Sequence, residues 1–294
     1  MLRIAAVIVT YNPDVGFAKR LKAIGAQCNK VYVVDNASLD QENLKKTVRR
    51  AKANLIGLAI NTGIAHAQNV GMEKAFAAGA QAVILFDHDS TPQPGFVQAL
   101  WRARQAQGND VIVGCRVYDV NMRTYARHPC YSGLFFKRRL CPEDQVLSRV
   151  LMVIASGTLI TAEVFQLAGG MREDLFIDYV DWEFCLRAHH EHHIDTVVTG
   201  DAILEHARGE RSGRRFIGIR FFPPGYSEFR YAHIFRNRAR LLRAYFFRDR
   251  AFVAFEMVAM MRDLLLLLME HKPWRLIIVA LKSWFSGITQ NLTR

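Results

Sequence analysis

The sequence predicts an α/β fold, a mostly parallel, doubly wound sheet flanked by helices, with a helical extension at its C-terminal end. Three observations carry this expectation. Short β-branched runs alternate with segments of helical period through the first 110 or so residues. Each run ends in polar turn residues, and a doubly wound sheet gathers such strand ends along one ligand-binding edge. From about residue 228 the helical period returns without further strands.

Residues 4–10 (IAAVIVT) form the first buried parallel strand. Asn12 is expected to cap a helix with Pro13 at its first position. Residues 31–34 make a second strand ending in Asp35-Asn36-Ala37-Ser38, followed by a basic helix over about 41–52. Residues 55–60 make a third strand, ending at Asn61-Thr62-Gly63, and a helix of small and apolar residues covers about 65–79. The next apolar run ends in Asp87-His88-Asp89, and a helix over about 94–107 is entered through Pro94. Beyond 110, strands are expected at 111–117 and 152–155. Segment 118–148 is rich in Arg, Pro and Cys and has no clear period, so a long connection near the site is expected there. A short helix at 163–167 is stopped by Gly169-Gly170, and a further helix covers 178–190.

The last ninety residues differ. Residues 208–226 are rich in Gly, Arg and Pro, the composition of a mobile basic loop. Over 251–271, Glu256, Asp263 and Glu270 recur every seven residues and form a narrow polar stripe on an otherwise apolar helix. Pro273 starts a second helix with Arg275 and Lys282 on one face. Such helices pack on a partner or lie in a membrane interface. The expected division is therefore 1–207 as the sheet domain and 208–294 as a basic loop and amphipathic helical region.

The net charge of +12 over 294 residues is uneven: residues 206–294 carry 17 Lys and Arg against 6 Asp and Glu. An anionic partner is expected there. The five cysteines (28, 115, 130, 141 and 185) include no C-x-x-C pair, which argues against a disulfide framework and a zinc site and fits a reducing cytosolic compartment. The N-terminus runs directly into a strand pattern, so no cleavable leader is expected. No apolar stretch reaches the roughly 18 residues of a spanning helix.

Chemistry concentrates at the strand ends Thr10-Tyr11-Asn12, Asp35-Asn36, Asn61-Thr62-Gly63 and Asp87-His88-Asp89. Any one of these is ordinary turn chemistry; four on successive strands are harder to dismiss. Asp87 and Asp89 repel each other unless a cation lies between them, and a hard divalent ion holding a diphosphate would relieve that repulsion. Asp35 is suited to accept hydrogen bonds from a base or ribose, and Asn61 and Gly63 to let backbone approach a nucleotide. Neither G-x-G-x-x-G nor GxxxxGK[ST] is present, which disfavours a dinucleotide site or P-loop.

A second acidic cluster is Asp178-Tyr179-Val180-Asp181-Trp182-Glu183. On a helix Asp178 and Asp181 share a face, while Glu183 lies four residues before Arg187, the spacing of an ordinary ion pair. Asp181, flanked by Val180 and Trp182, is a candidate general base whose partial desolvation would raise its pKa toward a useful range. His206 follows a short strand and is either a third metal ligand or a turn histidine. The run His189-His190-Glu191-His192-His193 is assigned to a solvated helix end instead.

Val7-Ile8-Val9-Thr10-Tyr11-Asn12, Val33-Val34-Asp35-Asn36-Ala37-Ser38, Asn61-Thr62-Gly63 with Asn69-Val70-Gly71, Asp87-His88-Asp89-Ser90 and the 176–187 segment occur in an order and spacing that resemble the inverting family-2 glycosyltransferases of GT-A fold. Among these the chain is most similar to the rhamnosyltransferases of polysaccharide assembly, over about residues 4–245. The resemblance implies a nucleotide-diphosphate sugar donor, with dTDP-L-rhamnose favoured over UDP- or GDP-sugars, and Mg2+ or Mn2+. It implies Asp35 on the nucleoside base, Asp87, Asp89 and His206 on the metal and diphosphate, and Asp181 as catalytic base. Thr10, Tyr11, Asn12, Asn36, Asn61, Gly63, Asn69 and His88 would line the donor site, with Arg236 on the diphosphate. Asp178, Trp182, Glu183 and Arg230 would face or support the acceptor. The chain departs from the family pattern at Val180, where Glu is usual, and at Glu183, where Asp is common, so Asp178 and Asp181 both stand as candidates for the base. The basic loop and amphipathic C-terminal helices point to a saccharide acceptor on a lipid diphosphate at the cytoplasmic membrane face; a homo-oligomer contact is the other expectation for those helices, and no nucleic-acid partner is expected.

Two other classes compete. A nucleotidyltransferase shares the acidic sheet edge but calls for a Gly-rich basic loop after the first strand, where this chain has Tyr11-Asn12-Pro13. A nucleic-acid binder would use the basic residues of 206–294, which have few interleaved aromatics outside 221–247.

Overall fold

β1 (Ile4–Thr10) is buried along its whole length, as its unbroken apolar run requires of a strand covered on both faces. The computed structural model describes residues 3–108, 110–206, 214–216, 219–221 and 223–292. After β1 come α1 (Phe17–Gly25), β2 (Lys30–Asp35), α2 (Gln41–Arg50), β3 (Asn54–Gly57), α3 (Ile64–Ala77) and β4 (Ala82–Asp87). Then follow β5 (Ser90–Pro92), α4 (Phe96–Gln107), β6 (Val111–Asp119), β7 (Thr124–Tyr125), β8 (His128–Ser132), β9 (Phe135–Arg139), β10 (Val146–Val150) and β11 (Leu159–Thr161). α5 (Ala162–Ala168), a 3-10 turn (Glu173–Leu175), α6 (Val180–His192) and the long β12 (Asp195–His206) complete the sheet portion. Beyond it lie a hairpin of β13 (Arg214–Phe216) and β14 (Ile219–Phe221), then α7 (Glu228–Tyr245), α8 (Arg250–Leu267) and α9 (Pro273–Thr289).

The main sheet has the order β3-β2-β1-β4-β11-β6-β12-β10-β8-β9, with β5 on β12 and β7 on β6. β1, β2, β3 and β4 run parallel, as do β6 and β12, while β11 is antiparallel to both neighbours. The sheet is thus mostly parallel and wound by helices, as expected. The registers Thr10↔Asp35, Asp35↔Gly57 and Val9↔Asp87 bring the polar ends of β1 to β4 to one edge. Alternate residues of the strands (Ile4, Ala6 and Ile8; Ile84 and Phe86) join Phe17, Leu21, Leu44, Phe96 and Leu100 of α1, α2 and α4 in one buried cluster. On the opposite face α3 lies so close that a Cβ on Gly71 would come within 2.3 Å of Val7 Cγ1.

Several boundaries differ from expectation, each for a local reason. Asn12 does not cap α1, which starts at Phe17; it sits at φ 49°, with its N–H donating to Ser38 Oγ and its Oδ1 accepting from Leu39 N–H. Asn tolerates this left-handed conformation, and the loop bonds outcompete a helix start. α4 starts at Phe96, after the left-handed Gly95. β3 ends at Gly57 rather than 60, because its partner β2 ends at Asp35, whose carbonyl takes the Leu58 N–H. Residues 152–155 are not a strand; they lead into a turn, and the strand beside β4 is β11. Segment 118–148, expected as a connection, contains β7, β8, β9 and β10. α6 begins at Val180, because Asp178 and Tyr179 take φ values of 60° and 69°. Asp178 and Asp181 therefore do not share a helix face. Residues 208–213, 217–218 and 222 of the expected mobile loop at 208–226 lie outside the described residues; the described part includes the β13–β14 hairpin.

The chain divides into two units: one takes residues up to 130, 138–176 and 180–206, the other 131–137, 177–179 and the described residues from 214 onward. In the second, α7 is the central helix. The expected polar stripe of α8 turns inward onto it: Glu256 and Asp263 pair with the buried Arg238. Glu270, beyond the end of α8, accepts from Tyr231 Oη. All five cysteines are free thiols, and burial pushes those of Cys28 and Cys185 up to about 12, out of the reactive range.

The α3–β1 contact generates a test. Gly71→Ala should cost about 1–3 kcal/mol by overpacking against Val7, read as a lower denaturant midpoint. An unchanged midpoint would mean that α3 does not sit this close to the sheet.

Candidate active site

The edge of the sheet is shaped by side chains that tie one turn to the next. Asp35 is buried, and its carboxylate accepts from Thr10 Oγ1 (3.0 Å), Ser38 Oγ (2.5 Å) and Ser38 N (3.1 Å). Asn36 uses both ends of its amide on the 62–63 backbone: Oδ1 accepts from Thr62 N and Nδ2 donates to Gly63 O. Asn61 Oδ1 accepts from Gly63 N. Gly63 caps α3 at φ 89°, where a Cβ would lie 2.6 Å from Phe176 O, so only glycine fits. Asn69 is buried and spans Met171, accepting from its N–H and donating to its carbonyl, while also donating to Glu173. Of the expected donor-site residues, Asn36 and Asn69 thus act as straps within the protein. Tyr11 stands half exposed at the rim.

Asp87 ends β4, and the chain turns through His88 and Asp89 into β5, which pairs antiparallel with the end of β12 in the register Ser90↔His206. This pairing carries His206 back to the acidic turn. Ligand atoms of Asp87, Asp89 and His206 lie within 4.8 Å of one another. Asp89 Oδ1 is buried without a hydrogen-bond partner. It lies 3.4 Å from His206 Nδ1, which is already engaged by Ser90 Oγ at 2.9 Å. An orphaned buried carboxylate oxygen, a second carboxylate and an imidazole make a donor set that fits a divalent cation such as Mg2+ or Mn2+. Arg20 of α1, not foreseen from sequence, fixes the turn by donating to His88 O.

The turn at 155–158 is held against β4 by Gly157 N–H to Leu85 O and Leu85 N–H to Thr158 O. From it Ser156 Oγ accepts the Asp87 N–H (3.0 Å) and donates to Ser90 Oγ (2.9 Å), which reaches His206. Its neighbour Ala155 donates its N–H to Asp181 Oδ2 at 3.0 Å. Asp181 Oδ1 accepts from Trp182 N–H at 2.9 Å. Two backbone donors, one from the 155–158 turn and one from α6, thus orient this carboxylate in the first turn of the helix. Beside it lies a small recess lined mainly by apolar groups, among them Leu85, Val153 and Phe184. Ser156 and Ala155 were missed from sequence because a Ser-Gly turn carries no signal of what it will touch.

Glu183 is fully buried between Arg187 and Arg172, the ordinary helix ion pair with a second arginine added. In the second unit, both oxygens of Asp178 are engaged by Arg230 (3.1 and 2.9 Å), whose guanidinium also stacks on Tyr226. Asn237 donates to Ile177 O and Asp178 O, and Arg236 Nε donates to Asn237 Oδ1.

Paired carboxylates and a histidine thus stand at the C-terminal edge of the sheet, where ligands bind in α/β folds. Residues 5–161 match glycosyl transferase family 2. The chain is 36% identical over 249 residues to the dTDP-rhamnosyl transferase RfbF of Shigella flexneri, covering 82% of this chain and 80% of that protein. It is 23% identical over 206 residues to the uncharacterized glycosyltransferase YwdF of Bacillus subtilis strain 168, covering 69% and 74%. Among solved structures, GalNAc-T7 with UDP, GalNAc and Mn2+ superposes with a TM-score of 0.59 at 12% identity, over 82% of this chain and 48% of that one. S. aureus TarS 1-349 superposes at 0.57 and 15% identity, over 98% and 81%; both show the fold alone. The chain belongs to glycosyl transferase family 2 and is a glycosyltransferase of GT-A fold.

The serine chain generates a prediction. Ser90→Ala and Ser156→Ala should each leave the fold intact and weaken Mn2+ binding about 10–100-fold, as loss of a group orienting a ligand does; calorimetric titration without donor would measure it. Unchanged affinity in both would show that the chain does not support the site.

Proposed function

We propose that the protein transfers L-rhamnose from dTDP-L-rhamnose to a hydroxyl of a saccharide acceptor, with inversion, in the synthesis of a cell-surface polysaccharide. One observation carries the site: the orphaned Asp89 carboxylate oxygen beside Asp87 and His206 at the sheet edge. The choice of sugar is supported by the 36% identity to a dTDP-rhamnosyl transferase over most of both chains. UDP- and GDP-sugars are the alternative donors.

Asp35, with Thr10 and Ser38 bonded to it, and the 61–63 turn are assigned to the nucleoside. Asp87, Asp89 and His206 hold Mg2+ or Mn2+, which supplies Lewis-acid neutralisation for the departing diphosphate. Asp181 is the base. Each of its oxygens accepts a backbone N–H, which fixes the direction of the carboxylate. The acceptor hydroxyl gives its proton to Asp181 while its oxygen attacks the anomeric carbon. The bond from that carbon to the diphosphate oxygen breaks on the opposite face, and the nucleoside diphosphate leaves. Asp178, with both oxygens on Arg230, is assigned a supporting role. Arg230 and Arg236 are assigned to the acceptor or the diphosphate. A lipid-linked acceptor at the cytoplasmic membrane face is the form that the basic second unit favours.

A panel of nucleotide sugars with Mn2+ or Mg2+ tests the reading through nucleoside-diphosphate release. Release from dTDP-L-rhamnose, lost with EDTA and with Asp89→Ala, is the expected result. Release from another donor alone would reassign the sugar. Asp181→Asn should lower transfer by about 10^3-fold or more while donor affinity stays within about twofold. Full activity in that variant would transfer the role of base to another residue.

A further inference from the structure

The second unit has an apolar cluster around Tyr231, Phe235, Leu267 and Leu276, and it buries charged groups as well. Between residues 223 and 292 the chain has eleven Lys and Arg and five Asp and Glu. All five carboxylates are engaged. Glu228 pairs with Arg275, and Asp249 accepts from Phe252 N and Tyr131 Oη. Glu256 accepts from Tyr179 Oη and Arg238, and Asp263 from Arg238 and Arg262. Glu270 accepts from Tyr231 Oη and Gly225 N. Arg238, Glu256 and Asn237 are buried.

Many other apolar residues of the unit are exposed. On α8, Met257, Val258, Met261, Leu264, Leu265 and Leu268 are exposed and recur at helical spacing on one face. On α9, Trp274, Ile278, Leu281, Phe285 and Ile288 do the same, with Trp274 73% exposed. Both faces flank the turn at 268–272, where Lys272 is exposed, and Lys282 lies exposed on the α9 face. No described helix is long and apolar enough to cross a membrane. Two helices with outward apolar faces are therefore suited to lie along an interface.

We infer that the α8–α9 pair is a docking surface for an anionic lipid bilayer. Charge complementarity selects this occupant. With every carboxylate of the span engaged, Lys272 and Lys282 stand beside the apolar faces, and the span keeps an excess of six cations. A second copy of the unit would meet that excess with its own, whereas an anionic headgroup layer neutralises it. Leu and Phe enter the acyl boundary, Trp274 sits at headgroup level, and the lysines reach the phosphates. The inference goes beyond the transfer reaction and depends on neither its donor nor its acceptor.

Co-sedimentation of the full chain with phosphatidylcholine vesicles, with and without phosphatidylglycerol, tests it. The expected result is binding to the anionic vesicles that weakens with added salt. Lys272→Gln and Lys282→Gln should each reduce that binding about fivefold. Leu265→Glu together with Phe285→Glu should reduce it about a hundredfold, with thermal unfolding unchanged because both sites are exposed. Absence of vesicle binding, binding indifferent to lipid charge, or a wild-type dimer that the glutamate variants dissociate would each overturn the inference. Donor hydrolysis is measured without vesicles, so failure here leaves the proposed reaction standing, and the converse.

Discussion

The acidic edge of the sheet depends on one short antiparallel pairing, β5 against the end of β12. Without it the chain would leave β4 with two carboxylates close together and no imidazole beside them. The pairing sets Ser90 opposite His206, which delivers an imidazole to the carboxylates and a hydroxyl to the imidazole. β12 can reach this far because a register shift after Thr199 lets it pair with β6 again from Ile203 to His206. Remote parts of the sequence are thereby brought to one place by backbone bonds rather than by side-chain packing.

Much of this was legible in the sequence because buried parallel strands are spelled as β-branched runs with polar ends. β1, β2 and β4 stand where those runs lie, and Asp35, Asp87 and Asp89 are at their ends for that reason. β5 and β11, three residues each, are too short to show a period. The strands between 118 and 148 carry Arg, Lys and Pro on exposed faces and lose their alternation. The left-handed pair Asp178 and Tyr179 was hidden for another reason. Neither is glycine, and the conformation is held by Asn237, almost sixty residues away. Asn36 and Asn69 fit a nucleotide pocket by type, yet their amides close backbone loops; an amide serves either purpose, and only the fold distinguishes them.

The helical unit shows the same limit more sharply. A stripe of carboxylates every seven residues on an apolar helix ordinarily marks its wet face. Here it marks the inner one, because α7 offers Arg238 at the matching position and Tyr179 and Tyr231 add hydroxyl donors. Burial raises the proton affinity of Glu256 and Arg238 opposes it, so this pair holds only while both members are present. A periodicity identifies two faces, and the partner helix decides which is inside.

Ala155 and Ser156 are consecutive residues of one short turn, which is itself fixed to β4 by backbone hydrogen bonds on both sides of Leu85. The amide of one orients Asp181; the hydroxyl of the other holds Asp87 and Ser90. A shift of that turn displaces both attachments together. On the proposed assignment, with Asp87 at the metal and Asp181 as base, damage at this turn would loosen both together and so would not leave an activated donor exposed to water without its proton acceptor.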